Sequence, residues 1–272
     1  MLRTGKSFYL SSQNRVITQD ESSSSDFYIK LDNIETLVEY DRCALMSATI
    51  PRSYYLIDTR HNTFILNENG TEYTITIEPG NYNVNNIRST LTGLMNDVAG
   101  WTYTWSMNPV TGKLSCGVSG NAGVQPIITI SDYRLAEILG FLTGDNVFTS
   151  DSYVGPNVVN FKLSNSVLIY CDIVAPDGLL QDISVNARDY ASINWQQPSP
   201  LFSAKQFVLK PLVHVKLLDL ENDLEPIFLN GLDWNFTLCF FKHNDFYEKY
   251  ISERRITQGD MGQEEAPQDE LV

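Results

Sequence analysis

Histidine, paired cysteine and clustered positive charge are what this chain has least of, and each shortage removes a class of function. The three histidines, His61, His214 and His243, stand far apart without HExxH or HxH spacing, so no metal or proton-transfer motif is legible around them. GxSxG, GxxxxGK[ST] and GxGxxG do not occur, which leaves no nucleophile elbow, P-loop or dinucleotide fingerprint. The four cysteines, Cys43, Cys116, Cys171 and Cys239, are scattered singly through apolar or alternating runs. A zinc site would show CxxC pairs and a secreted disulfide scaffold would be denser, so they read as buried thiols. No stretch approaches the roughly 18–20 consecutive apolar residues of a membrane-spanning helix, and MLRTGKSFYLSSQNRVITQ has no signal-peptide core. The expectation is a protein made and kept inside a cell, with no transmembrane segment.

Positive charge is scarce as well. The formal net charge is -14, and the last fifteen residues, Gln258–Val272, hold five acids and no base. A basic stripe is missing, so a direct nucleic-acid site is not expected.

Hydrophobic residues make up 43% of the 272, aromatics 11% and charged residues only 19%, ample material for a core. Two strands near the N-terminus set the pattern. Phe27, Ile29 and Leu31 alternate with Asp26, Tyr28, Lys30 and Asp32, the period of a half-buried strand. From Cys43 to Ile50 both faces are small or apolar, a strand expected to be covered on both sides until Pro51 removes a ladder donor. The same two-residue period returns late: Val159–Leu163, Val167–Ile173, Phe207–Leu209, Val213–Leu217 and Trp234–Phe240. Short strands with turn residues between them predict a mainly β protein, an antiparallel sandwich of jelly-roll type.

Between these halves the texture changes. Asn69-Gly70 predicts a tight hairpin, and Val84, Ile87, Leu91, Leu94 and Val98 behind Asn83 predict a capped amphipathic helix. A second hairpin around Asn108-Pro109, a short strand Ile127–Ile130 and a short helix ended by Gly140 complete a small α+β module. The expected division is therefore an arm (1–25), a discontinuous jelly roll (26–60 with 150–245), an inserted module (61–149) and a disordered acidic C-terminal tail (246–272). Two readings of the arm stay open: a segment that ties subunits together through Phe8 and Tyr9, or one strand docked on its own domain. Phe246, Tyr247 and Tyr250 are further candidates for inter-subunit contact. Trp101, Tyr103 and Trp105 form one face of a strand, either a stacking surface for a glycan or partner, or core.

SFYLSSQNR at Ser7–Arg15, DFYIKL at Asp26–Leu31, the small strand ending in Ile50-Pro51, the Pro79-Gly80-Asn81-Tyr82 lead into a helix, the Leu139-Gly140-Phe141 stop and DWNFTLCF at Asp233–Phe240 together resemble penton (vertex) capsid proteins of virophages and polinton-like viruses. The resemblance spans residues 7–245. It implies a single jelly roll with an inserted domain, a homopentamer at icosahedral five-fold vertices, contact with a major capsid protein of the double jelly-roll type, and residence in the virion capsid; such a subunit needs no active site, and no catalytic residue, metal ligand or cofactor site is assigned from the motifs. Two other classes of function are compatible with the residues alone. One is a minor capsid or spike protein whose aromatic module binds a host glycan; the other is a β-sandwich hydrolase with a carboxylate pair brought together only by folding.

Overall fold

The computed structural model describes residues 5–16, 23–220 and 224–244. These divide into two compact units: the described residues up to Ser53 together with those from Ser166 onward, and a second unit of Tyr54–Asn165. In chain order the first unit begins with β1 (Lys6–Ser11), β2 (Asp26–Lys30) and β3 (Arg42–Pro51). The second holds β4 (Thr63–Glu68), β5 (Thr71–Thr76), α1 (Val84–Val98), β6 (Thr102–Asn108), β7 (Lys113–Ser119), β8 (Ile127–Ile130), α2 (Tyr133–Leu139), β9 (Gly144–Val147) and β10 (Ser152–Val154). The first unit then resumes with β11 (Ser166–Cys171), β12 (Val174–Ala175), β13 (Leu179–Ser184), β14 (Ser192–Gln196), β15 (Lys205–Phe207), β16 (Leu212–Asp219) and β17 (Asn235–Phe241).

The first unit is a jelly-roll sandwich. One sheet has the order β1-β17-β3, with β14 and β15 sharing the far side of β3 and β12 beyond β15; the other has the order β2-β16-β11-β13. All pairings are antiparallel, and the chain passes repeatedly from one sheet to the other. The pairs β1–β17, β2–β16, β3–β14 and β11–β13 are nested in sequence, as in a long hairpin rolled into a double Greek key. Inside lie Phe27, Ile29, Val167, Ile169, Val213 and Val215 from one sheet and Leu45, Ile50, Phe236, Leu238 and Phe240 from the other, all buried. Trp234 fills the space beside Phe27 (centroids 6.1 Å, edge-on) and Phe236 (4.8 Å, stacked). Its indole N–H donates to the Ser24 carbonyl at 2.7 Å, so the ring is buried without an orphaned polar atom.

The β3 strand is covered on both faces, and its alternation is broken. Thr237 faces Ser47 while Leu238 faces Leu45, so Met46 is an extra residue in a β-bulge. The inward set is therefore Cys43, Leu45, Ala48 and Ile50 rather than a single row of every second residue. On the outer face Ala44, Cys239 and Phe241 are covered by Met46, Leu201 and Ala204. Glycine is demanded by geometry beside Tyr170. Gly178, at φ +75°, lies against the Tyr170 ring, where a Cβ would come within 2.0 Å of the ring carbons.

The unit Tyr54–Asn165 contains two sheets, β5-β4-β8-β9 and β10-β7-β6, and both helices. Asn69 and Gly70 both take positive φ, the two-residue hairpin turn that joins β4 to β5. Asn83 caps α1 with a reciprocal box to Asn86, and Ile87, Leu91 and Met95 form its buried stripe. Gly140, at φ +73°, ends α2.

Two sequence expectations change here. Val159–Leu163 is not a strand, because its backbone is held singly, Val159 N–H by the Gly112 carbonyl and Asn160 N–H by that of Ile138, with no ladder. Conversely, the stretch from Gly144 to Asn157, whose Gly, Asp, Ser and Asn content reads as a loop, carries β9 and β10, which pair with β8 and β7. Asn146 explains part of this: buried, it donates to the Ile128, Leu142 and Gly144 carbonyls and accepts from Tyr153, work a hydrophobic pattern cannot reveal.

Candidate functional site

The lateral edges of the sandwich are its most distinctive surfaces. Sheet order places β1 at one edge of its sheet and β14 on the other side of β3. The N-terminal segment read as a possible arm supplies β1, paired in register with β17 from Lys6↔Phe240 to Ser11↔Asn235. Phe8 and Leu10 turn inward, and Phe8 meets Phe240 edge-on at 5.6 Å, so Phe8 is engaged within its own sandwich. Tyr9 points the other way and is 67% exposed. Among the described residues no strand pairs with the outer edge of β1. Phe246, Tyr247 and Tyr250 lie outside the described residues.

At the opposite edge the two sheets gape. Between β13 and β14 is a cleft of about 410 Å³, with Ile183, Ile193 and Trp195 among its apolar lining and Asp182, Ser184 and Asn194 among its polar lining. In the sequence, the strand signal of β14 is the alternation of Ile193 and Trp195 with Ser192, Asn194 and Gln196.

Polar groups also gather on the outer face of the other sheet. Tyr28 stacks on His214 (4.3 Å, 14°), whose Nε2 lies 2.5 Å from Asp26 Oδ1, while Lys216 Nζ is 3.3 Å from Asp26 Oδ2. These residues join β2 to β16 as cross-strand neighbours.

In the Tyr54–Asn165 unit the aromatic row is placed unlike a stacking surface. Tyr103 is 0% and Trp105 4% exposed, with Trp101 half-buried. Trp105 donates its indole N–H to the Met95 sulfur at 3.1 Å and lies 5.4 Å from the Phe141 ring. Of the two readings open for this row, Tyr103 and Trp105 fit the core one, packed against the protein's own α1 and Phe141. His61 Nδ1 sits 2.7 Å from Asp132 Oδ2. Burial pushes the Asp132 carboxyl up, but hydrogen bonds from His61 and from the Leu135 and Arg134 backbone, with the His61 charge, outweigh it and hold the group below its ordinary range. His61 thereby ties the Asp58–His61 turn to the start of α2.

The cysteines are buried thiols. Burial pushes Cys43 up to about 12, and raises Cys116, Cys171 and Cys239 as well. Among the described residues no group of three or more His, Cys, Asp or Glu side chains has metal-site geometry. No helix among them is long and apolar enough to cross a membrane.

The described chain is thus a mainly β protein built on a jelly roll. Among solved structures, it is similar to a selenomethionine-labelled mavirus penton protein, with a TM-score of 0.40 and 12% identity, over 87% of this chain and 99% of that one. No protein-family model and no curated protein matches.

Proposed function

We propose that this chain is a structural subunit of a viral capsid: a penton that forms homopentamers at icosahedral five-fold vertices and contacts a surrounding major capsid protein. It acts by assembly, without a catalytic step or cofactor, and resides in the virion after assembly inside the host cell. The observation that carries this reading is the nested pairing β1–β17, β2–β16, β3–β14 and β11–β13, which makes a stiff two-layered wall whose two lateral edges differ. Unlike edges favour heterologous contacts, which close into a ring when the rotation between copies closes and extend into a filament when it does not. The sequence resemblance to virophage penton proteins supports the number five and the vertex position. The Tyr54–Asn165 unit, which falls between β3 and β11 in the chain, is read as an elaboration inserted into the jelly-roll sequence. Tyr103 and Trp105 are buried and Trp101 is half-buried, so this row favours assembly over glycan stacking. Electron-microscopic class averages of the purified full chain test the proposal: five-fold rings are expected, and a field of single particles without rotational symmetry contradicts it.

A further inference from the structure

We infer that Tyr9 of one copy seats in the cleft between β13 and β14 of the next, so that this knob and this hole form the head-to-tail contact of the ring. The inference rests on the assembly reading above and adds the surface that performs it. Three observations meet here.

The first is position. Tyr9 stands on the edge strand β1, whereas the cleft lies beyond β14, on the far side of β3 in the same sheet. A contact between opposite edges cannot be satisfied within one copy. It is heterologous by construction, and repetition closes a ring or extends a filament.

The second is shape and chemistry. Tyr9 is 67% exposed on a strand whose backbone is fixed by six paired residues, so its ring is presented at little further entropic cost. The cleft, about 410 Å³, lies at the low end of the range that houses ligands and has room for one aromatic side chain. Ile193 and Trp195 offer the ring an apolar wall, and Asn194, Ser184 and Asp182 offer hydrogen-bond partners for the phenol oxygen. Tyrosine with an apolar body and a polar tip suits such a hole.

The third is charge. On a chain of net charge -14, the segment Gly5–Val16 carries Lys6 and Arg15 and no acid; Arg15 is paired with Asp233 at 2.9 Å, so Lys6, bonded to the Thr36 hydroxyl, is the cation this edge offers. The opposite edge, Val174–Ser199, carries Asp177, Asp182 and Asp189 against Arg188, and Arg52 pairs with Asp189 at 3.4 Å, which leaves Asp182 as the acid lining the cleft. Two copies that repel overall therefore meet through edges of opposite sign.

The test uses full-length protein. Tyr9→Ala removes an exposed side chain, so thermal unfolding should be unchanged while the protein concentration needed for assembly rises at least about tenfold. Ser192→Trp, at an exposed position on the cleft, fills the hole from the other side and should give the same loss. A Tyr9→Cys protein mixed with an Asn194→Cys protein under mild oxidation should give a disulfide-linked heterodimer that neither gives alone, the native thiols being buried. If wild-type protein assembles and both Tyr9→Ala and Ser192→Trp assemble equally well, the contact is elsewhere and this inference falls while the assembly reading stands. Loss of assembly in Tyr9→Ala with no cross-link to Asn194→Cys also overturns it, by placing Tyr9 against a different surface. A wild-type chain that never assembles overturns the proposed function and the contact together.

Discussion

Tyr103 donates its phenolic hydrogen to Glu68 Oε1 at 2.9 Å, inside the Tyr54–Asn165 unit. The carboxylate is only 5% exposed and also accepts from the Gly100 N–H (2.9 Å) and the Trp101 N–H (3.2 Å). Glu68 ends β4, Gly100 and Trp101 follow α1, and Tyr103 lies on β6, so one buried side chain holds three elements in place. Burial, then the hydrogen bond to Glu68, pushes the Tyr103 phenol far above its ordinary range, so it stays a donor at any physiological pH.

Replacing Tyr103 by Phe keeps the ring and deletes one donor to a buried carboxylate, a loss of about 1.5–3 kcal/mol. Urea denaturation of full-length protein, followed by far-ultraviolet circular dichroism, should show the midpoint for this unit falling with little change in slope. An unchanged midpoint would mean that water replaces the phenol without penalty.

Asp132 sets an acid limit on the same unit. Its carboxyl is held below the ordinary range in the folded chain, so its contribution to stability is complete above the unfolded value of about 3.9 and is lost as pH falls through the folded value. Asp132→Asn should therefore lower the melting temperature at neutral pH, and the gap from wild type should narrow below about pH 4. A gap that stays constant down to pH 2 would show that the His61–Asp132 pair does not contribute through charge.

The four thiols should be slow to react while the chain is folded. Each is buried and its ionisation is suppressed, with Cys43 near 12 against an ordinary value of about 8.5. Iodoacetamide at pH 8 followed by intact mass should find the folded chain unmodified over minutes and four adducts in urea. Rapid single labelling of native protein would expose one thiol as accessible.

Much of this fold is written in local pattern. The strands around Phe27 and Phe236, the Asn69-Gly70 hairpin and the capped α1 are legible because each follows one period or one turn rule. What misleads is pairing that pattern does not encode. The Met46 bulge shifts the inward face midway along β3, and β9 and β10 form from polar residues because Asn146 and the neighbouring strands supply their partners. Val159–Leu163 has the alternation of a strand, but its Val159 and Asn160 N–H groups bond singly to Gly112 and Ile138 rather than to a ladder. The candidate surfaces were legible only in part. Phe8 and Tyr9 differ in role by one step of a strand, a difference visible only once β17 is known to lie beside them. The cleft needs β13 and β14 brought together from two sheets, and no spacing in the sequence announces that.

Removing Gln258–Val272 should leave both folding and assembly intact, since this stretch contributes five acids and few apolar residues to any core. Thermal melting and sedimentation velocity of the truncated protein should match the full chain. A loss of the folded state would show that the acidic segment has an essential partner within the protein.

The subunit count tests the central claim most directly. Native mass spectrometry of the purified chain should find an assembly of five copies of the 30.8 kDa polypeptide, in exchange with monomer on dilution. A protein that remains monomeric at high concentration, or that closes at two or three copies, contradicts the account.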